Sequence, residues 1–308
     1  MGTPQFAVPS LELLANSRFC PALCITQPDK PQGRNRRLQP PAVKIKAQEL
    51  GIEVIQPEDI NDKNTIDLLK NIQPDIIVTV AYGEYLKKGI RLLPELGCLN
   101  LHPSLLPRYR GSAPINFALF NGEEYTGNTI FKIVSRMDAG PIYLQQKIKI
   151  SPEDCYTSLS EKLSHLGAEN ILEVLNKLER DEITPSKQKE EDATYSYKLT
   201  KEDFLIDWNF PAGQIFNQVL GLAERPGAVA SFRGKRIKII ETEILEEKTD
   251  HQPGTIIEII KNKGIKIACI DNNILIKRLQ PSGKNIMTSH AFSLGARIEN
   301  GERFEKGF

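Results

Sequence analysis

The chain has 308 residues, 40% of them hydrophobic and 26% charged, an ordinary globular composition with length enough for two domains. With 40 Lys and Arg against 39 Asp and Glu the net charge is +1, which excludes a histone-like, purely electrostatic nucleic-acid binder but leaves room for a local basic patch. Cys20, Cys24, Cys98, Cys155 and Cys269 are odd in number and scattered, a poor disulfide framework that points to a reducing compartment and buried thiols.

The opening Gly2-Thr3-Pro4, followed by Val8 to Leu14, reads as a strand-to-helix loop and its helix. A doubly wound domain places a strand just before such a loop. Here the chain begins at the loop, so the first strand is missing from the sequence as read. Losing a central parallel strand would expose two rows of backbone hydrogen-bonding groups. The expectation is therefore a reading frame that extends upstream into a short Ile/Val/Phe-rich stretch.

Five segments read as strands: 22–26, 52–56, 75–81, 97–102 and 128–134. Several are nearly continuous apolar runs, as parallel strands covered on both faces require. Residues 41–50 and 63–72 read as helices between them. The alternation predicts a doubly wound, mostly parallel α/β sheet. A long helix is expected over 156–180, where Leu159, Leu163, Leu166, Ile171, Leu175 and Leu178 recur near the helical period. The polar run that follows suits an extended linker. After a short helix at 215–223 come several short strands with turns at 262–264 and 271–273, the pattern of a small, OB-like β-barrel. The expected division is 1–183, a linker over 184–202, and a barrel over 203–308. No apolar run approaches the roughly 20 residues that cross a bilayer. The start also lacks the basic and apolar regions of a signal peptide, and a cytoplasmic protein is expected.

Chemistry concentrates in the stretch from Cys98 to Gly111. Residues two apart on a strand share a face. Leu99 and Leu101 therefore point to one side, and Asn100 and His102 to the other, at a strand's carboxyl end where open α/β sheets bind ligands. Ser135 to Pro141 form a second candidate. Its Asp138-Ala139-Gly140-Pro141 turn follows a strand, so the carboxylate can reach the same crevice. Asn, His and Asp converging on a cleft suit acyl transfer to an amine, with the amide holding the acyl oxygen and the imidazole meeting the oxyanion or moving a proton. No Ser or Cys nucleophile is required, because a neutral, aligned amine attacks directly. Residue type alone leaves the plainer alternatives open: a strand histidine as a structural hydrogen bonder, and an Asp before Gly as a turn former.

These motifs, Asn100-Leu-His102, Ser104 to Gly111 and Asp138-Ala-Gly140, resemble the folate-dependent formyltransferase family, and the likeness extends over essentially the whole chain. Gly2 to Ala7, Thr26 to Pro31 running into Gly33 to Arg37, Val80 to Gly83, and Ile206-Asp207-Trp208 carry it further. The resemblance implies a formyl donor, 10-formyltetrahydrofolate, and no metal. It implies Asn100, His102 and Asp138 as catalytic residues. The folate would be bordered by Val80, Ala81, Tyr82 and Gly83, and by Ser104, Leu105, Leu106 and Pro107. Within the family the likeness is greatest to members that formylate initiator methionyl-tRNA for translation initiation. A monomer is expected.

The segment from Lys30 to Lys46 carries Lys30, Arg34, Arg36, Arg37, Lys44 and Lys46 with no acid among them, and its prolines forbid a long helix. An exposed basic loop of this kind can follow a phosphate backbone. The barrel adds Arg233, Lys235, Arg236 and Lys238. The expected tRNA contacts are Arg34, Arg36, Arg37, Lys44, Arg233, Lys235 and Arg236. Two alternatives stand beside this one. The first is formylation of a sugar nucleotide or purine precursor by the same chemistry. The second is a noncatalytic RNA-binding protein on the same fold.

Overall fold

The computed structural model describes residues 1–32, 37–248 and 250–308. The chain forms two compact units. The first comprises residues 1–114, 125–149 and 159–196, and the second 115–124, 150–158 and 197–308.

Besides a short ribbon of Lys30–Gln32 and Arg37–Gln39, the strands of the first unit are β1 (Cys24–Ile25), β2 (Val54–Ile55), β3 (Ile77–Val80), β4 (Cys98–His102), β5 (Arg110–Gly111), β6 (Tyr125–Lys132), β7 (Ile142–Lys149) and β8 (Tyr195–Ser196). β1 and β2 pair in parallel, as do β3 and β4, each pair reached through a helical crossover. The far side of the sheet reverses direction: β6 runs antiparallel to β4, and β7 antiparallel to β6. β7 is absent from the sequence reading. It is an edge strand whose middle residues, Gln145, Gln146 and Lys147, face solvent, so it offers no apolar run to detect.

Met1 and Gly2 lie between β1 and β3. The Met1 nitrogen donates to the Val78 carbonyl at 2.7 Å, Val80 N–H donates to the Met1 carbonyl at 2.9 Å, and Gly2 N–H donates to the Ile25 carbonyl at 3.0 Å. Beside them is a cavity of about 620 Å³ lined by Leu11, Leu14, Cys24, Val78 and Leu175 among others.

The helices follow from local chemistry. α1 (Val8–Ala15) carries a proline in its first turn, where a missing N–H costs nothing. α2 (Ala42–Glu49) starts after Pro40-Pro41. α3 (Lys63–Ile72) is capped by Asp62, whose side chain accepts from Thr65 N–H at 2.9 Å. α4 (Tyr156–Glu179) buries Leu159, Leu163, Ile171 and Leu175 of the stripe expected from spacing and leaves Leu166 and Leu178 half-buried. Leu99, Leu101, Ile130, Ile171 and Val174 share one core, while Cys98 belongs to another on the opposite face of the sheet. The alternation along β4 thus sends Leu99 and Leu101 one way and Asn100 and His102 the other.

The division at 183 and 202 expected from sequence differs from the observed units. Residues 184–196 belong to the first unit. Ser186 exchanges two backbone hydrogen bonds with Ile142, and β8 pairs with β5. A polar, aliphatic-poor run can be a solvated connector or a strap held by hydrogen bonds, and composition does not separate the two.

The second unit contains α5 (Ala212–Leu222), α6 (Ser289–Ala296) and strands β9 (Ala228–Phe232), β10 (Lys235–Lys248), β11 (Ile256–Ile260), β12 (Gly264–Ala268), β13 (Asn272–Pro281) and β14 (Phe304–Lys306). The sheet order is β11-β12-β13-β10-β9-β14. Its ends meet: Ile256 N–H donates to the Glu302 carbonyl at 2.7 Å, and Phe304 N–H to the Gly254 carbonyl at 2.8 Å. The sheet therefore curls into a small barrel, which removes the exposed edges. Its core holds Trp208, Phe232, Ile239, Ile267 and Phe304.

Candidate active site

The side chains expected to converge lie at the carboxyl end of β4, within the first unit. His102 is buried, 4% exposed, with Phe131 packed edge-on against its ring. Its Nε2 lies 2.8 Å from the Tyr109 carbonyl. A carbonyl only accepts, so Nε2 carries a hydrogen. The other nitrogen, Nδ1, faces Asp138, with Oδ2 at 3.7 Å. That is ion-pair range but too long for a direct hydrogen bond. The nitrogen open to a reacting group is therefore Nδ1, and Asp138 stands beside it.

Asn100 shares the face. The Thr79 hydroxyl lies 2.7 Å from Asn100 Oδ1 and 3.0 Å from the Leu99 carbonyl. When it donates to the nearer oxygen, the Asn100 Nδ2 is left to donate elsewhere. Asp138 is anchored by Gly111 N–H, which donates to its Oδ2 at 2.8 Å. Three non-glycine residues of the candidate site have left-handed φ: Ala81 at 47°, Tyr109 at 59° and Asp138 at 48°. Such conformations persist where the surroundings over-determine them, and they concentrate at functional sites.

Sequence reasoning missed the bracing residues. Arg110 is fully buried. Its guanidinium donates to Gln188 Oε1 and to both Glu190 carboxylate oxygens. Gln188 Nε2 in turn donates to the Asp138 and Gly140 carbonyls at 2.8 and 2.7 Å. Thr129 holds the loop after His102, accepting from Leu106 N–H and Gln145 Nε2 and donating to the Ser104 carbonyl. Only Arg110 lay inside a quoted motif, and nothing in spacing marks the others.

The residues expected to border folate divide in two. Ala81 and Gly83 are exposed, and Leu105 and Pro107 half-buried. Val80, Tyr82, Ser104 and Leu106 are buried. The Ser104 hydroxyl donates to the Arg108 carbonyl, so it shapes the loop. The residues open to a ligand are thus the first four.

The expected tRNA contacts also divide. Arg34 and Arg36 lie outside the described residues. Arg37 is exposed on a short strand, Arg37–Gln39, as are Lys235 and Arg236 at the start of β10. Lys44 is paired with Asp29 at 2.9 Å and Lys46 with Glu12 and Glu49. Acids from outside the basic run thus meet two of its charges. Arg233 donates to Glu302 and to the Ala296 and Arg297 carbonyls, so its charge serves the barrel.

Glu190 gives the bracing a pH signature. The hydrogen bond from Arg110, helped by the charges of Arg110 and Arg136, holds its carboxyl below the ordinary 4.5. A carboxyl lowered on folding contributes stability above its unfolded pKa, and the contribution is lost as pH falls through the folded value. Glu190→Gln is expected to remove that share of the acid-side loss. Below about pH 4.5 its melting temperature should fall less steeply than the wild type's, whereas above that the curves should run parallel. Thermal unfolding across the acid range checks this, and identical slopes would refute it.

Two family models match the chain, formyl transferase over residues 3–175 and formyl transferase, C-terminal domain, over 198–297. The chain is 40% identical over 309 residues to a methionyl-tRNA formyltransferase from Natranaerobius thermophilus, covering 99% of this chain and 98% of that one. It is 45% identical to one from Thermodesulfovibrio yellowstonii, covering 97% and 96%. Among solved structures, the sugar 3N-formyl transferase WlaRD superposes with a TM-score of 0.66 at 18% identity, over 92% of this chain and 97% of that one. HypX from Aquifex aeolicus, in complex with tetrahydrofolic acid, superposes with a TM-score of 0.62 at 18% identity over 95% of this chain. The chain spans about half of HypX, 46% of its length. The likeness to these structures is one of fold.

Proposed function

Because this chain belongs to the formyl transferase family, we propose that it moves the formyl group of 10-formyltetrahydrofolate to the amino group of initiator methionyl-tRNA. The acceptor is supported by relatives of that name, 40–45% identical over both domains. The chemistry is supported by one observation above the rest: His102 Nδ1 and Asp138 Oδ2 face each other at 3.7 Å at the sheet's carboxyl end.

The neutral amine attacks the formyl carbon. As the new C–N bond forms, the carbonyl electrons move to oxygen, where Asn100 Nδ2 and the Nδ1–H of His102, acting as an imidazolium protonated at both nitrogens, meet the developing negative charge. The attacking nitrogen then carries one proton too many, and N10 of the folate needs one to leave. Asp138, beside Nδ1, takes up and returns that proton. The C–N10 bond breaks, giving the formamide and tetrahydrofolate. Ala81, Gly83, Leu105 and Pro107 border the donor. His102 lies buried with its Nε2 held by Tyr109, so Nδ1 keeps one direction throughout.

The test is incubation of charged initiator tRNA with 10-formyltetrahydrofolate and detection of formylmethionine. Formylation of an amino sugar nucleotide, with none of methionyl-tRNA, would overturn the acceptor.

Arg37, Lys235 and Arg236 are the proposed phosphate contacts among the described residues. Each replacement by alanine is expected to weaken tRNA binding and to reduce the slope of log affinity against log salt by about 0.7–0.9. Filter binding over a salt series measures this, and an unchanged slope excludes that residue from the contact.

A further inference from the structure

We propose that Gln188 is a positioning residue for the transfer: it fixes the turn that carries Asp138 and thereby sets the carboxylate against His102 Nδ1. The proposal rests on the reading of Asn100, His102 and Asp138 as the reacting groups.

The Gln188 amide has a determined orientation. Its Oε1 faces Arg110 Nε at 3.1 Å and Nη2 at 2.8 Å, groups that only donate. Its Nε2 faces the Asp138 and Gly140 carbonyls at 2.8 and 2.7 Å, groups that only accept. Each side of the amide meets its complement, and a flipped amide would oppose donor to donor and acceptor to acceptor. The two carbonyls flank Ala139, so one side chain grips both ends of the tight turn. At the start of the turn the backbone is strained: Asp138 has φ 48°. Gly140 has no space for a side chain, since a Cβ there would lie 1.7 Å from the Lys132 carbonyl oxygen. The strain is held by a pair of hydrogen bonds from a residue fifty positions away in sequence.

The grip is anchored in turn. Arg110 is fully buried and is held by Glu190 as well as by Gln188. Its neighbour Gly111 supplies the N–H bonded to the Asp138 carboxylate. Asp138 is therefore held twice, by its backbone through Gln188 and by its side chain through Gly111, and both holds run back to Arg110–Gly111. A shift of about 1 Å in a reacting group can cost about 10²-fold in rate.

The experiment is a double-mutant cycle of Gln188→Ala and Asp138→Asn, read as kcat and KM with wild type alongside. Gln188→Ala is expected to lower kcat about 10–100-fold with KM for tRNA little changed. On the Asp138→Asn background it should lower kcat less than about 2-fold, because the carboxylate it positions is gone. Gln188→Glu tests the donor side with size preserved. Its carboxylate presents lone pairs to two carbonyls, so it should be no more active than Gln188→Ala at neutral pH and should recover relative to wild type as acid protonates it. Amide exchange at Ala139, whose N–H donates to the Arg136 carbonyl at 3.3 Å, reports the turn independently of any substrate and should quicken in Gln188→Ala. Equal losses on both backgrounds, unchanged exchange at Ala139, or full activity of Gln188→Glu would each overturn the proposal. Absence of turnover by wild type would instead remove the acceptor reading, and the exchange result would still decide the role of Gln188.

Discussion

Replacing His102 with alanine is expected to lower kcat by about 10²–10³-fold, the usual loss of an oxyanion donor. The imidazole is buried and Nε2 is committed to the Tyr109 carbonyl, so Nδ1 is the only nitrogen left for a reacting atom. KM for the formyl donor should change little, because the interaction matters when charge develops on oxygen and much less before. Stability should fall as well. The variant removes the shorter of two hydrogen bonds to the Tyr109 carbonyl, leaving the one from the Ser196 hydroxyl at 3.3 Å, a cost of about 0.5–1.5 kcal/mol. Activity is therefore measured well below the variant's melting temperature. Turnover within a few-fold of wild type would remove His102 from the chemistry and leave it a structural hydrogen bonder.

Gly111→Ala is expected to damage both fold and rate. Gly111 has φ 115°, a conformation L side chains rarely adopt, and an added Cβ would stand 2.0 Å from the Ser196 carbonyl oxygen. Backbone must move, since the obstacle is a peptide carbonyl and not the end of a flexible side chain. Overpacking of this kind costs about 1–3 kcal/mol, and the left-handed φ adds to it. The displaced strand would also carry Gly111 N–H away from Asp138 Oδ2, now 2.8 Å distant. A lower melting temperature together with kcat reduced about 10-fold or more is the expected pair of results. Ser112→Ala, at an exposed neighbouring side chain, should change neither. Wild-type stability in Gly111→Ala would mean that the pairing of β5 with β8 is dispensable.

These residues also show what could be read ahead of the coordinates. Asn100 and His102 were legible because strand alternation is a strict local rule, and Leu99 and Leu101 between and beside them confirm the face. Asp138 was legible as part of a turn following a strand. Gln188 was not, because its partners are remote and its neighbours, Ser186, Lys187 and Lys189, have the composition of a linker. The ion pairs of the basic segment were not legible for a related reason. Lys46 finds Glu12 when α1 and α2 are set side by side, and Lys44 finds Asp29 in the loop after β1. β7 escaped because an edge strand need not be apolar on both faces. Periodicity reports what a segment buries, whereas hydrogen bonds between distant segments leave no periodic trace.

The bracing strap also has a consequence for the order of assembly. All three side chains of the proposed chemistry, Asn100, His102 and Asp138, have left the ribosome once residue 138 emerges. The amide that grips the Asp138 turn, and the strand that seats Gly111, follow some fifty residues later, after the whole of α4. Domains tend to fold as their chain is completed during synthesis. A nascent chain ending at Ile183 would hold all three proposed groups and still lack the bonds that hold the Asp138 turn, so on the proposed reading competence begins only when the strap closes.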